Sequence, residues 1–292
     1  MNCENLWRVF PQLTPQTSGA EPRTRSLTRR STHGTAQDYG AMKLPASGAL
    51  ARNVTVAGQS IKMIQHFMDT PVAQPRRKGG PKADLTGLKV WPVSLRLVEY
   101  MHAELLSGVQ QRAGDRPLRV LELGAGCGSL GIGLAALGLQ VVLTDPGVAV
   151  NYSEAEEGNT LGWLRANVDA NRELLGDRAS VAQLLWGDAA HMEAVQAQAV
   201  EPFDLVVGSD VLYDPDQYPA LLRTLAAFTT EETDVVLGFT RRHPGEARFL
   251  KSARLAFRDV ATRDMAAVEA DSDGVGAMSR WSVTVMRGAL EE

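Results

Sequence analysis

Glu122, three alternate glycines at 124, 126 and 128, and Asp145 lie within one stretch of the chain. An apolar run with branched residues (Leu118, Val120, Leu121, Leu123) leads into the glycines. Apolar spacing resumes through Leu130, Ile132, Leu134, Ala135 and Leu137. The stretch reads as buried strand, glycine turn and helix start. Such a turn lets backbone N–H groups close on a ligand at the positive end of a helix. A second apolar strand, Leu139 to Leu143, ends at Thr144-Asp145. An acid about 20 residues past the glycines is placed to accept from a ribose hydroxyl pair. These residue types in this order point to a nucleoside-cofactor site.

The elements that must hold such a site follow from the same periodicities. Asn53 to Phe67 reads as a small β-hairpin turning at Ala57-Gly58-Gln59. Val90 to Leu106 has helical spacing at Leu95, Val98, Met101 and Leu105, with Pro92 in its first turn and Trp91 just before it. Asn159 suits the cap of a helix through Leu161, Leu164, Val168 and Asn171. Further strands are expected at Val181–Trp186, Phe203–Gly208, Asp234–Phe239, Phe257–Ala261 and Ser282–Arg287, separated by helical segments. The fold class is α/β: alternating strands and helices predict a doubly wound, mostly parallel sheet that binds ligands outside the strands' carboxyl ends. Glu122, Asp145, Trp186, Ser209 and Asp210 all fall at such ends.

The rest of the composition narrows the classes. The chain has 292 residues, 44% hydrophobic and 22% charged, with net charge −4. That balance supports a sizeable core and speaks against a general nucleic-acid binder. Cys3 and Cys127 cannot build a disulfide framework or a cysteine-rich zinc site, and no metal is expected. No run of about 18 apolar residues exists, so no membrane partner is expected. Residues 1–50 are rich in Ser, Thr, Pro and Arg and read as a disordered or targeting tail, with Met42 an alternative start. Residues 51–292 read as one domain. A cytoplasmic monomer is expected, or an organellar protein if the tail is a transit peptide. Arg76, Arg77 and Lys78 read as a solvated loop.

Two nucleoside cofactors fit the glycines. The frame Gly126-x-Gly128-x-x-Gly131 has dinucleotide spacing. S-adenosylmethionine fits three further details. Glu122 stands two residues before Gly124, where an acid meets an ammonium group but repels phosphates. The frame Gly124-x-Gly126-x-Gly128 begins where the strand ends. Trp186 and Asp188 suit an adenine face and its exocyclic amine.

The segments Leu118–Gly131, Thr144–Asp145, Leu185–Gly187 and Phe203–Tyr213 resemble the seven-strand S-adenosylmethionine-dependent methyltransferases. More narrowly, LELGAGCGSLGI, LLWGD and FDLVVGSDVLY are similar to the family 16 group of protein-lysine methyltransferases, with Asp210-Val-Leu-Tyr213 in place of its Asp-x-x-Tyr element. The resemblance covers roughly residues 53 to 287. It implies a seven-stranded methyltransferase domain with an N-terminal hairpin, S-adenosyl-L-methionine as cofactor and a protein substrate carrying a target lysine. Gly124, Ala125 and Gly126 would wrap the methionine part, Asp145 would hold the ribose and Trp186 would pack on adenine. Ser209 would contact the cofactor through its backbone, and Trp91 would close over it. Asp210 and Tyr213 would face the methyl group, Asp210 orienting the amine or taking its proton beside a dry aromatic slot at Tyr213. The acidic 147–158 loop is longer than the family leads one to expect. Its Glu154, Glu156 and Glu157 would attract a basic segment. A small-molecule methyltransferase, a non-catalytic binding module and a nicotinamide oxidoreductase are the alternatives.

Overall fold

The structure, a computed structural model, describes residues 49–66, 86–147, 159–199, 201–242, 244–267 and 280–290. The tail before residue 49, the basic loop with Arg76, Arg77 and Lys78, and Glu154, Glu156 and Glu157 lie outside the described residues.

In chain order the strands are β1 (Ala49–Val56), β2 (Gln59–His66), β3 (Arg119–Leu123), β4 (Gln140–Asp145), β5 (Ala179–Gln183), β6 (Leu205–Ser209), β7 (Asp234–Thr240), β8 (Phe257–Met265) and β9 (Trp281–Ala289). The helices are α1 (Pro92–Tyr100), α2 (Leu106–Ala113), α3 (Ser129–Ala136), α4 (Thr160–Ala170), α5 (Arg172–Leu175), α6 (Ala189–Gln198), α7 (Tyr218–Ala227) and α8 (Gly245–Ala256). A single wide π turn, Met101–Leu105, joins α1 to α2. The helical segment therefore runs past Leu106. Its apolar stripe continues through Leu97, Met101, Leu105 and Val109, all buried.

β3 to β9 form one sheet in the order β5-β4-β3-β6-β7-β9-β8. β3 to β7 are parallel; β9 runs antiparallel between β7 and β8. Side-chain parity explains why these strands read as continuous apolar runs. Val120, Leu205, Val207 and Val236 enter one core with α1, α3 and α4. Leu121, Leu123, Val206, Val235 and Leu237 enter the other with α7 and α8. A strand covered on both faces needs apolar residues at both parities. The order reverses between β3 and β6, where an open α/β sheet leaves a crevice for ligand.

Two expected boundaries differ. β5 ends at Gln183 rather than Trp186: its register with β4 stops at Asp145↔Gln183, and the chain turns away after Leu184 donates to the Asp145 carbonyl at 3.0 Å. The hairpin begins at Ala49, four residues before Asn53. It turns on Ala57 and Gly58, both left-handed (φ 47° and 77°).

Two asparagines one turn apart on and just after α4 dock that hairpin. Asn167 accepts from the Ile64 N–H at 2.6 Å and donates to the Ile64 carbonyl at 3.0 Å. Asn171 repeats the pattern at Lys62, with both distances 2.7 Å. Carboxamides thus take the place of a neighbouring strand along β2, whose buried backbone groups would cost about 1–3 kcal/mol each if unpaired. Asn167 also donates to the Cys127 carbonyl at 2.9 Å, which ties the hairpin to the glycine turn. Asn159 caps α4 by accepting from the Gly162 N–H at 2.9 Å, as its sequence position predicts.

Candidate cofactor and acceptor site

The turn after β3 is left-handed at Gly124 (φ 65°), Gly126 (56°) and Gly128 (87°). These are the three glycines of the alternate frame. All three are also places of close approach; a Cβ on Gly128 would lie 2.5 Å from Leu164 Cδ1. A Cβ on Gly124 would lie 3.1 Å from the Trp186 ring and from Val211; one on Gly126 would lie 2.8 Å from the Gly87 carbonyl oxygen. The turn is thus walled by Trp186 and Val211 on one side and by the Thr86–Leu88 segment on the other. Ala125 between them donates its N–H to the Thr144 carbonyl at 2.8 Å.

Asp145 ends β4 and is tied to this turn. One carboxylate oxygen accepts from the Gly126 N–H at 3.0 Å. The other accepts from the Gly147 N–H at 3.2 Å and from the Thr160 hydroxyl at the start of α4. The residue is 6% exposed. Its neighbour Thr144 donates its hydroxyl to the Glu122 carbonyl at 2.6 Å, locking β4 to β3.

Glu122 requires a correction. It was expected at the mouth, meeting an ammonium group. Its parity in β3 instead matches Val120, so the side chain points beneath α3. It is 1% exposed and accepts from the Gly131 N–H at 3.0 Å. Burial drives its pKa from 4.5 up to about 8; the Gly131 hydrogen bond opposes this and the charge of Asp145 adds to it. Gly131 lies in the first turn of α3. A dinucleotide's pyrophosphate needs that helix end, and here the chain's own carboxyl takes the Gly131 N–H. This disfavours the nicotinamide alternative.

The raised pKa has a measurable consequence. A carboxyl that holds its proton more tightly in the folded chain stabilises the fold most below its unfolded value. That stability is lost as pH rises through about 8. Glu122→Gln keeps an oxygen for Gly131 and removes the titration. Between pH 5 and 8 the parent chain should lose up to about 1.4 kcal/mol per pH unit relative to the variant. Urea unfolding across that range checks this; parallel stability curves would show that Glu122 does not carry the proton.

The other half of the site lies across the switch point. Ser209 ends β6 and is partly exposed. Asp210 follows with φ 56°, a left-handed conformation at a non-glycine residue. It was expected to offer a carboxylate to an incoming amine. Instead Oδ1 accepts from the Thr240 N–H at 2.9 Å and Oδ2 pairs with Arg242 Nη2 at 2.6 Å; its side chain is 6% exposed. Each oxygen has one such partner, and a carboxylate oxygen can accept two. Tyr213 was expected in a dry slot but is 52% exposed. Val211 and Leu212 between them are buried and fix the corner, with the Tyr218 hydroxyl donating to the Leu212 carbonyl at 2.9 Å.

Trp91 is the residue before α1. Its indole N–H donates to the Thr86 carbonyl at 3.0 Å. Lys89 Nζ and Arg242 Cζ lie 5.0 and 5.1 Å from its ring centroid. Trp186 is partly buried beyond the end of β5. Its Nε1 is shielded from solvent and makes no hydrogen bond among the described residues. Asp188 caps α6, accepting from the His191 N–H at 2.9 Å.

The model of a family described as lysine methyltransferase matches residues 81–256, more than half of the chain. The chain belongs to this family. Its match to protein N-lysine methyltransferase METTL21A of Danio rerio is 34% identical over 140 residues, 48% of this chain and 57% of that protein. Against the Xenopus tropicalis protein of the same name it is 29% over 170 residues, 58% and 67%. Against EEF1A lysine methyltransferase 3 of Mus musculus it is 34% over 137 residues, 47% and 48%. The chain thus spans about half to two thirds of the length of these three relatives.

Within this lysine methyltransferase domain, β3 and β4 bring Gly124, Ala125, Gly126 and Asp145 together, with Trp186 against Gly124. Trp91 joins them through Thr86 and Gly87. Asp210 and Ser209 lie at the end of the adjoining strand β6. Glu122 stands behind the turn, not in the mouth. Sequence reasoning missed Gly87, Thr160 and Arg242. Gly87 and Arg242 act through contacts between segments far apart in the chain and carry no local signal. Thr160 follows Asn159 directly, and a hydroxyl at a helix start is a recognisable polar partner. Among the described residues no metal-ligating cluster occurs, and no helix is long and apolar enough to cross a membrane.

Proposed function

We propose that the protein is an S-adenosyl-L-methionine-dependent protein-lysine N-methyltransferase. The observation that carries this is the left-handed glycine turn whose Gly126 amide is held by Asp145, set at the switch point between β3 and β6. Two features fit the cofactor. The left-handed turn at Gly124 and Gly126 is walled by Trp186, Val211 and Gly87, and the Trp186 indole N–H is shielded from solvent with no hydrogen bond among the described residues. Gly124, Ala125 and Gly126 hold the methionine part, Asp145 the ribose, Trp186 the adenine and Ser209 the adenosine through its backbone. Trp91 covers the site from the N-terminal side.

When bound, the cofactor supplies a methyl group on a positively charged sulfur. A lysine amine, with a free pKa near 10.4, attacks only when neutral, so the chain's contribution is chiefly placement and a dry approach. Tyr213 offers its ring to the aliphatic stem of the target lysine. Asp210, engaged at both oxygens, supports the corner that carries Tyr213, and water takes the amine proton. The substrate is a protein, with no nucleic acid or membrane involved. The enzyme acts as a monomer in the cytoplasm, a reducing compartment that suits two cysteines.

Thermal shift with S-adenosylmethionine and with NAD, followed by labelled methyl transfer to a cell lysate, tests this. Stabilisation by S-adenosylmethionine and label recovered on lysine of a protein band are expected. Stabilisation by NAD alone would overturn the cofactor; label confined to small molecules would overturn the protein substrate.

A further inference from the structure

We propose that Arg242 is a positioning residue, a clasp that couples Trp91 on the N-terminal side of the mouth to the Asp210 corner after β6. Three contacts define it. Its Nη2 pairs with Asp210 Oδ2 at 2.6 Å. Its guanidinium carbon stands 5.1 Å from the centroid of the Trp91 ring. Its own N–H donates at 2.9 Å to the buried Glu246 carboxylate at the start of α8, which fixes the base of the side chain.

The contacts on either side complete a belt around the glycine turn. Gly126 touches Gly87, and Thr86 beside it holds the Trp91 indole. Trp91 meets Arg242, and Arg242 meets Asp210. The next residue, Val211, packs back on Gly124. Arg242 is where this belt passes from the segment before α1 to the sheet. A flat guanidinium suits that position, because it stacks on an aromatic face while its edge pairs with a carboxylate.

The state of Asp210 points the same way. A left-handed non-glycine residue at a functional corner costs of order 1–3 kcal/mol and persists only where its surroundings over-determine it. Here the Thr240 N–H, the Gly238 carbonyl (2.8 Å from the Asp210 nitrogen) and Arg242 supply that constraint. Arg242 itself is not core material: its side chain is 41% exposed. It bridges two segments of the rim that no backbone hydrogen bond joins among those seen. Loss of Arg242 is therefore expected to release Trp91 and the corner from each other. The clasp stands on geometry alone; its effect on cofactor affinity rests on the function proposed above.

The test is a double-mutant cycle of Trp91→Leu and Asp210→Asn, run in the Arg242 and Arg242→Met chains and read by denaturant unfolding without ligand. Coupling of about 3- to 10-fold in the unfolding equilibrium is expected with Arg242 and none with Met. Additivity in the Arg242 chain, or coupling that survives Arg242→Met, would overturn the clasp. Should either single variant fail to fold, Trp91 emission decides, taken by difference against Trp91→Phe. It should shift on Arg242→Met and be partly restored by Arg242→Lys; unchanged emission sinks the proposal. For the holoenzyme, Arg242→Met should raise the cofactor KM about 3- to 10-fold with a smaller effect on kcat. A parent chain that binds no S-adenosylhomocysteine would end the functional reading, while the ligand-free cycle still judges the clasp.

Discussion

Asp145→Asn is expected to weaken S-adenosylhomocysteine binding about 100-fold, on the order of 3 kcal/mol. The size follows from how the carboxylate is used. Each of its oxygens already accepts: one from Gly126, the other from Gly147 and Thr160. An asparagine has one acceptor and one donor end. With its oxygen kept toward Gly147 and Thr160, its NH2 faces the Gly126 N–H, donor against donor, at the residue proposed to cradle the cofactor. Flipped, it faces two other donors. Either way a buried N–H or hydroxyl loses its partner, about 1–3 kcal/mol, and the charge that strengthens bonds to ribose hydroxyls is gone. Calorimetric titration beside urea unfolding separates the two effects. A fall in stability with affinity changed less than threefold would reduce Asp145 to a structural tie.

The glycine turn, Asp145 and the switch-point location were legible because each rests on local pattern: an apolar run, glycines at alternate positions, an acid at the next strand's end. The parity of β3 was legible too. Val120 and Glu122 share a face, and the helix that follows must cover it, so an inward-facing acid follows from the same alternation that identified the strand. What hid this was the chemistry of the acid itself, since a carboxyl is ordinarily exposed. Trp186 stands against Gly124 although its strand stops three residues earlier; the turn after β5 carries it there. The capping role of Asp188 was open to view as well, since an aspartate heading a helical run is a cap. The engagement of Asp210 was not legible. Its partners Thr240 and Arg242 lie 30 and 32 residues downstream, and its left-handed backbone is imposed by them rather than by its own type. The rule is physical: single-strand and single-turn features show in sequence, whereas the occupancy of a side chain's hydrogen-bonding capacity is set by tertiary neighbours.

Gly131→Ala is expected to destabilise the domain by about 3–5 kcal/mol, although glycine-to-alanine inside a helix ordinarily stabilises by about 0.5–1 kcal/mol. The sign reverses because the added methyl has nowhere to go. It would stand well inside contact distance of the Glu122 carboxyl and 2.7 Å from Leu143 Cγ and Cδ2. Both neighbours are side chains, which could yield at a surface, but Leu143 is fully buried and Glu122 nearly so. Overpacking of this kind costs about 1–3 kcal/mol. Pushing Glu122 off the Gly131 N–H strands a buried carboxyl for a further 1–3 or so. The two costs have different remedies, which makes the account testable. In a Glu122→Ala background the methyl enters the space the acid leaves, so Gly131→Ala should cost much less there than in the parent chain. Urea unfolding of the four proteins measures that difference. Additive losses would mean that α3 simply resists alanine; a strong rescue would show that Glu122 and Gly131 are one packing unit, with the glycine present so that a buried acid can seat against the helix.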